Sequence, residues 1–197
     1  MKILIATRNK GKLKEFRSLL SDLGIDIVSI DDVFTDAPIV KEDGKTYEEN
    51  ALKKAETLYR FSSLPTVADD SGLEVEALNG APGVFSARFA GEGLSDEENN
   101  RKLLSLLRDY PMEKRKARFK AVIAFVGPGI KKVFEGELRG HIAFEAAGKD
   151  GFGYDPIFIP EGYDKTLAQL GKEIKNSISH RAEALNKLKE FLKTIRN

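Results

Sequence analysis

The chain opens on an apolar run, residues 2–6, that gives way at once to the polar stretch Thr7-Arg8-Asn9-Lys10-Gly11-Lys12. A run so short, closed by a turn, predicts a buried strand. Apolar residues then recur at helical spacing: Leu13, Phe16, Leu19, Leu20 and Leu23 share one face, and Gly24 stands where such a helix ends. Residues 25–30 read as a second strand, followed by an acidic loop through Gly44. Thr46 and Glu49 form a T-x-x-E pattern opening a helix whose buried stripe is Ala51, Leu52, Ala55, Leu58 and Tyr59. Residues 65–68 predict a strand that ends on Asp69-Asp70-Ser71-Gly72. Extended chain resumes over 73–78, and 79–83 is a rigid turn. Ser95 and Glu98 repeat the capping pattern before a third helix reaching about Leu107.

The later pattern differs. Residues 117–126 partly alternate, Gly127-Pro128-Gly129 is a turn, and 130–146 predict two more strands broken near Gly140. Glycines 148, 151 and 153 interrupt regular structure before Tyr154-Asp155-Pro156. A last amphipathic helix carries Ala182, Leu185, Leu188, Leu192 and Ile195. Strand–helix alternation early, antiparallel strands late, and no repeat or low-complexity linker together predict one α/β domain over residues 1–197. Its expected form is two lobes around a long mixed sheet, with a cleft between them.

Composition narrows the function. The 197 residues are 41% hydrophobic, enough to bury a sizeable core. Lys and Arg (32) nearly balance Asp and Glu (31), which argues against a protein that coats a polyanion and hence against a nucleic-acid partner. The absence of cysteine excludes disulfides, thiolate metal sites and cysteine nucleophiles. The first apolar run is too short for a signal peptide or a membrane span, so a cytoplasmic protein with no membrane partner is expected.

Four clusters carry candidate chemistry. Thr7 to Lys12 lies between a strand and a helix, where unpaired amides and the positive helix end converge and basic side chains add donors for phosphate. It lacks the Walker spacing, and a capped helix start with a solvated basic turn is the plainer alternative. Asp69-Asp70-Ser71-Gly72 sets two carboxylates side by side, which favours a compensating cation such as Mg2+; an Asp-capped turn is the alternative. Glu42, in the acidic loop, is a possible third carboxylate. Gly151-Phe152-Gly153-Tyr154-Asp155 flanks an aromatic ring with glycines, suited to stacking on a base or simply to an irregular turn. Ser177-Ile178-Ser179-His180-Arg181 begins the last helix with a histidine and an arginine, or with a serine cap and two exposed polar residues. Lys175 is a further phosphate-binding candidate. His141 reads as structural.

Taken together, the segments TRNKGK (7–12), ADDSGLEVEALNGAPGVFSARFAG (68–91), GFGYDPIF (151–158) and SISHRAEAL (177–185) resemble the inosine triphosphate pyrophosphatase family. Glu48-Glu49-Asn50-Ala51 also matches, and the agreement is ordered along nearly the whole chain. The resemblance implies hydrolysis of ITP, dITP and XTP to the monophosphate and pyrophosphate, with Mg2+, by a homodimer. It implies triphosphate binding by Thr7, Arg8, Asn9, Lys10, Gly11 and Lys12, with Asp70 as general base and metal ligand. Glu42 would be the second metal ligand and Asp69 a further one. Ser71, Phe152, Gly153, Tyr154, Asp155, Lys175, His180 and Arg181 would bind the nucleotide. Donors from Arg181 or His180 aimed at the purine O6 would favour hypoxanthine and xanthine over adenine, which presents an amino group there. The competing readings are a phosphatase or another nucleotide pyrophosphatase, and a nucleotide- or RNA-binding module without turnover.

Overall fold

The computed structural model describes residues 1–195. Among the described residues, six strands form one sheet in the order β2-β1-β3-β4-β5-β6. β1 (Lys2–Ile5) pairs in parallel with β2 (Asp26–Ser29) and with β3 (Thr66–Val75). A parallel pair needs a crossover, and α1 (Lys10–Leu19) supplies it between β1 and β2. α1 yields to a single 3-10 turn, Ser21–Leu23, that closes on Gly24 at φ 59°, a backbone region glycine enters without a Cβ clash. The helix expected to reach Leu23 is therefore two pieces, but Phe16, Leu20 and Leu23 still enter one core.

Several boundaries differ from the sequence expectations. Ile30 starts α2 (Ile30–Val33) rather than ending a strand, because Ser29 and Asp32 close a complete capping box. α3 (Tyr47–Ser62) follows, capped by Thr46 alone: Glu49 Oε2 takes the amide of Lys45 instead of that of Thr46. β3 does not stop at the carboxylates but runs through them to Val75, so Asp69 and Asp70 lie mid-strand. Residues 76–78, expected to be extended, make a 3-10 turn that ends on Asn79 in the left-handed region. α4 (Asp96–Leu106) has the full Ser95–Glu98 capping box that its sequence predicts.

β4 (Lys116–Gly127) leads by a tight turn into β5 (Ile130–Ile142). β5 is continuous through Gly140, where a break was expected. The glycine is needed there for close approach: a Cβ at 140 would collide with the carbonyl of Ile159 on β6 (Phe158–Pro160), the antiparallel neighbour of β5. Two short helices that periodicity did not show, α5 (Leu167–Leu170) and α6 (Lys172–Ile178), precede α7 (His180–Ile195). α5 is announced by a Thr166–Gln169 capping box, too brief a segment to carry a hydrophobic period.

The chain divides into two compact units, Met1–Asp70 with Ala121–Gly136 and Arg181 onward, and Ser71–Lys120 with Glu137–His180. The first has a core that includes Ile3, Phe16, Val67, Ile123, Phe125 and Leu188. The second is built on residues such as Leu73, Leu103, Phe119, Ile142, Ile157 and Phe158. Among the described residues, no helix is long and apolar enough to cross a membrane.

Candidate active site

In the first unit the basic turn is organised by its own side chains. Thr7 Oγ1 accepts the amide of Asn9 at 3.1 Å, and Asn9 Oδ1 caps α1 by accepting the amide of Lys12 at 3.0 Å. The amides of Lys10 and Gly11 remain as first-turn donors that have no acceptor within the helix. Arg8 and Lys10 are exposed, whereas Lys12 is half-buried and forms an ion pair with Asp69. Burial lowers the pKa of Lys12 in spite of that carboxylate, with Arg181 and Lys54 adding to the fall.

Asp69 is 2% exposed and anchors a buried charge network. Its Oδ2 accepts from Arg181 Nε at 3.1 Å, and the Arg181 Nη1 pairs with Glu15 on α1. Burial by itself would raise the Asp69 carboxyl; the charges of Arg181, Lys12 and Lys54 overcome that and hold it far below the ordinary carboxylate range. The same carboxylates raise Arg181 against its own desolvation. His180 and Arg181 are 4% and 2% exposed, so the alternative of two solvated polar residues at this helix start is excluded.

Asp70 is a different group. Burial raises its carboxyl to about 6, against the opposing pull of Lys54 and of a hydrogen bond from Asn50. Asn50 Nδ2 donates to Asp70 Oδ2 at 2.9 Å, and Lys54 Nζ lies 4.0 Å from Oδ1. Lys54 also pairs with Glu42 at 3.2 Å and donates to the Asp69 carbonyl, so α3 draws Glu42 and Asp70 towards one ammonium. Lys53, one position earlier, instead pairs with Asp43 at the surface.

This donor set fits a magnesium ion. Among the described residues no group of three or more His, Cys, Asp or Glu side chains is arranged to hold a metal. Mg2+ does not need one: it commonly takes one or two carboxylates and completes its octahedron with water and substrate phosphate oxygens. A desolvated carboxylate such as Asp70 gains most from a nearby cation. Asp69, expected as a further ligand, is occupied by Lys12 and Arg181.

In the second unit, the glycine-flanked loop is held from within. Asp155, 3% exposed, accepts the Phe152 amide at 3.0 Å and the ammonium of Lys175 at 2.6 Å. The same ammonium lies 4.1 Å from the centroid of the Phe152 ring. A Cβ on Gly151, at φ 77°, would strike the Asp155 carboxylate, so glycine is required there. Tyr154 is spent structurally: its hydroxyl donates to the Ser86 carbonyl at 2.6 Å, and burial raises its pKa. His180 stacks on Phe119 with centroids 4.7 Å apart and planes 11° from parallel.

The sequence reading gave no role to Glu15, Asn50 or Phe119, each of which supports the site residues. Glu15 and Asn50 were detectable as polar residues inside apolar helical stripes, beside Phe16 and Ala51 respectively. Phe119 carries no such signal, since an inward aromatic on a strand is ordinary core.

A carboxyl poised near neutrality, with a basic helix start in the same unit, equips an α/β protein to bind phosphate groups and to move a proton. The chain belongs to the Ham1 family, whose family model matches residues 3–191. It is 51% identical over 192 residues to a dITP/XTP pyrophosphatase of Geobacter sulfurreducens, covering 97% of this chain and 96% of that one. It is 47% identical over 191 residues to the dITP/XTP pyrophosphatase of Bacillus subtilis, covering 96% of each. The solved Ham1 protein of Staphylococcus aureus superposes with a TM-score of 0.87 at 46% identity, over 98% of this chain and 99% of that one. That of Coxiella burnetii gives 0.89 at 40% identity with the same coverage.

Proposed function

We propose that this chain hydrolyses the damaged purine nucleotides ITP, dITP and XTP to monophosphate and pyrophosphate, clearing them from the nucleotide pool. The observation that carries the reading is Asp70, a buried carboxyl raised to about 6 and aimed by Asn50. The names of the curated relatives supply the substrate class.

Asp70 Oδ2 already accepts the Asn50 amide, so Oδ1 is the oxygen that takes the proton from the attacking water. The water oxygen bonds to the α-phosphorus, and the bridging bond to the β-phosphate breaks with its electron pair leaving on pyrophosphate. Arg8, Lys10, Lys12 and the amides of the turn, with Thr7 and Asn9 fixing its shape, bind the departing charge. Mg2+ held by Glu42 and Asp70 would, when bound, neutralise the phosphate oxygens. Phe152 offers a face to the purine, with Lys175 and Asp155 behind it. Ser71, Gly153, His180 and Arg181 complete the nucleotide contacts, and Tyr154 supports them through its backbone. The resemblance further supports a homodimer, the near balance of acidic and basic residues argues against a nucleic-acid partner, and the proposed place of action is the cytoplasm, without a membrane partner.

Hydrolysis of ITP in oxygen-18 water tests the position of attack. Label in IMP is expected. Label in pyrophosphate would place attack at the β-phosphorus, and label in orthophosphate, with IDP formed, would make the protein a γ-phosphatase.

A further inference from the structure

We infer that Asp96 and Asn100 are positioning residues for base recognition: together they clamp both backbone groups of Gly153 and so fix the adjoining Phe152 ring. The inference rests on the reading of Phe152 as the surface that stacks on the purine.

Asp96 opens α4 and Asn100 lies four positions on, which puts both on one helix face. Asp96 Oδ2 accepts the Gly153 amide at 2.8 Å, and Asn100 Nδ2 donates to the Gly153 carbonyl at 3.1 Å. Gly153 has φ 61° and Gly151 has φ 77°, so Phe152 sits between the two most conformationally free residues available. A ring mounted on such a segment costs entropy to hold still unless the backbone is tied. Asp155 ties the amide of Phe152 itself, and α4 ties the residue after it.

Two features mark this grip as more than ordinary packing. On the α4 side the loop borders a cavity of about 500 Å³ lined by Asp96, Asn100, Leu104, Ala146, Asp150 and Phe152. Hydrogen bonds, not close-packed side chains, therefore restrain the loop on that side. Asn100 is also 7% exposed, and its Oδ1 has no hydrogen-bond partner among the described residues. A buried amide that satisfies only its donor side is a poor contributor to stability, and the bond its Nδ2 donates goes to the recognition loop.

The test is a double-mutant cycle in steady-state kinetics with ITP, using wild type, Phe152→Ala, Asn100→Ala and the double variant. Phe152→Ala should raise KM about 10- to 100-fold, the range for loss of a base-stacking ring. Asn100→Ala should raise KM roughly tenfold, the scale of one buried hydrogen bond, with kcat within about threefold. In the Phe152→Ala background the second change should add less than about twofold. Additive effects, or an unchanged KM in Asn100→Ala, would overturn the inference. A wild-type KM in Phe152→Ala would instead remove the stacking role itself, whatever Asn100 does. Should Asn100→Ala not fold, the Asp96 pair decides. Asp96→Ala should raise KM by a similar factor, whereas Asp96→Asn keeps an acceptor oxygen for the Gly153 amide and should restore KM to within about threefold. Equal losses in both, or none in either, would overturn the clamp.

Discussion

The carboxyls of Asp69 and Asp70, neighbours on β3, are held at opposite ends of the carboxylate range. Both are buried, which favours the protonated form. At Asp69 the charges of Arg181, Lys12 and Lys54 prevail, and the group stays a fixed anion. At Asp70 burial prevails over Lys54 and Asn50, and the carboxyl rises to about 6. Pushed apart in this way, Asp69 anchors the cations Lys12 and Arg181, and Asp70 has the raised carboxyl that the proposed role of general base requires.

Asp70→Asn keeps the size of the side chain and removes the proton acceptor. Turnover of ITP should fall by roughly 10²–10⁴, the usual contribution of a positioned base. Near-wild-type turnover in a variant with an unchanged circular dichroism spectrum would take Asp70 out of the mechanism.

The same group links pH to stability. Its folded value, about 6, lies above the ordinary 3.8, so the fold favours the protonated form. The burial penalty is absent below about pH 4, grows between 4 and 6, and is complete above 6, where it reaches ~3 kcal/mol. In metal-free protein, Asp70→Asn should therefore unfold at higher urea than wild type at pH 8. That advantage should shrink towards zero near pH 4. Added Mg2+ should stabilise wild type and leave the variant nearly unmoved; a variant less stable than wild type at pH 8 without metal would contradict the burial penalty.

Glu42→Gln should raise the Mg2+ concentration for half-maximal activity roughly tenfold, the lower end of what losing support for a metal site costs. Activity at saturating Mg2+ should recover to within several-fold. An unaltered Mg2+ requirement would remove Glu42 as a ligand.

Arg181→Met leaves Asp69 and Glu15 buried without their guanidinium. Breaking a buried pair this way costs about 3–5 kcal/mol, so urea denaturation should show a large loss of stability. Glu15→Gln in the same background should recover part of it, because the two changes act on one network. The resemblance assigns Arg181 to nucleotide binding, as a possible donor to the purine O6. Its burial between two carboxylates makes it a structural cation as well.

The sequence by itself determined whatever depends on near neighbours. Helical spacing placed α1, α3 and α7, the Ser95–Glu98 capping pair placed α4, and the TRNKGK stretch read as a strand-to-helix turn. Capping and periodicity act over three or four residues, so they are written in the local order of the chain. The sequence also offered Asp69, Asp70, Phe152 and Arg181 as candidates for the chemistry. Tertiary structure alone decided how each is used. Glu15 and Arg181 are 166 positions apart, and nothing local announces that they share a charge network with Asp69. Whether β3 ends at the carboxylates or passes through them depends on the cations that make buried charge tolerable in mid-strand. The break expected at Gly140 became close contact because β6 lies against it. A pKa, a strand end and an ion pair are set by burial and by charges a few ångströms away in space, and sequence distance carries no record of either.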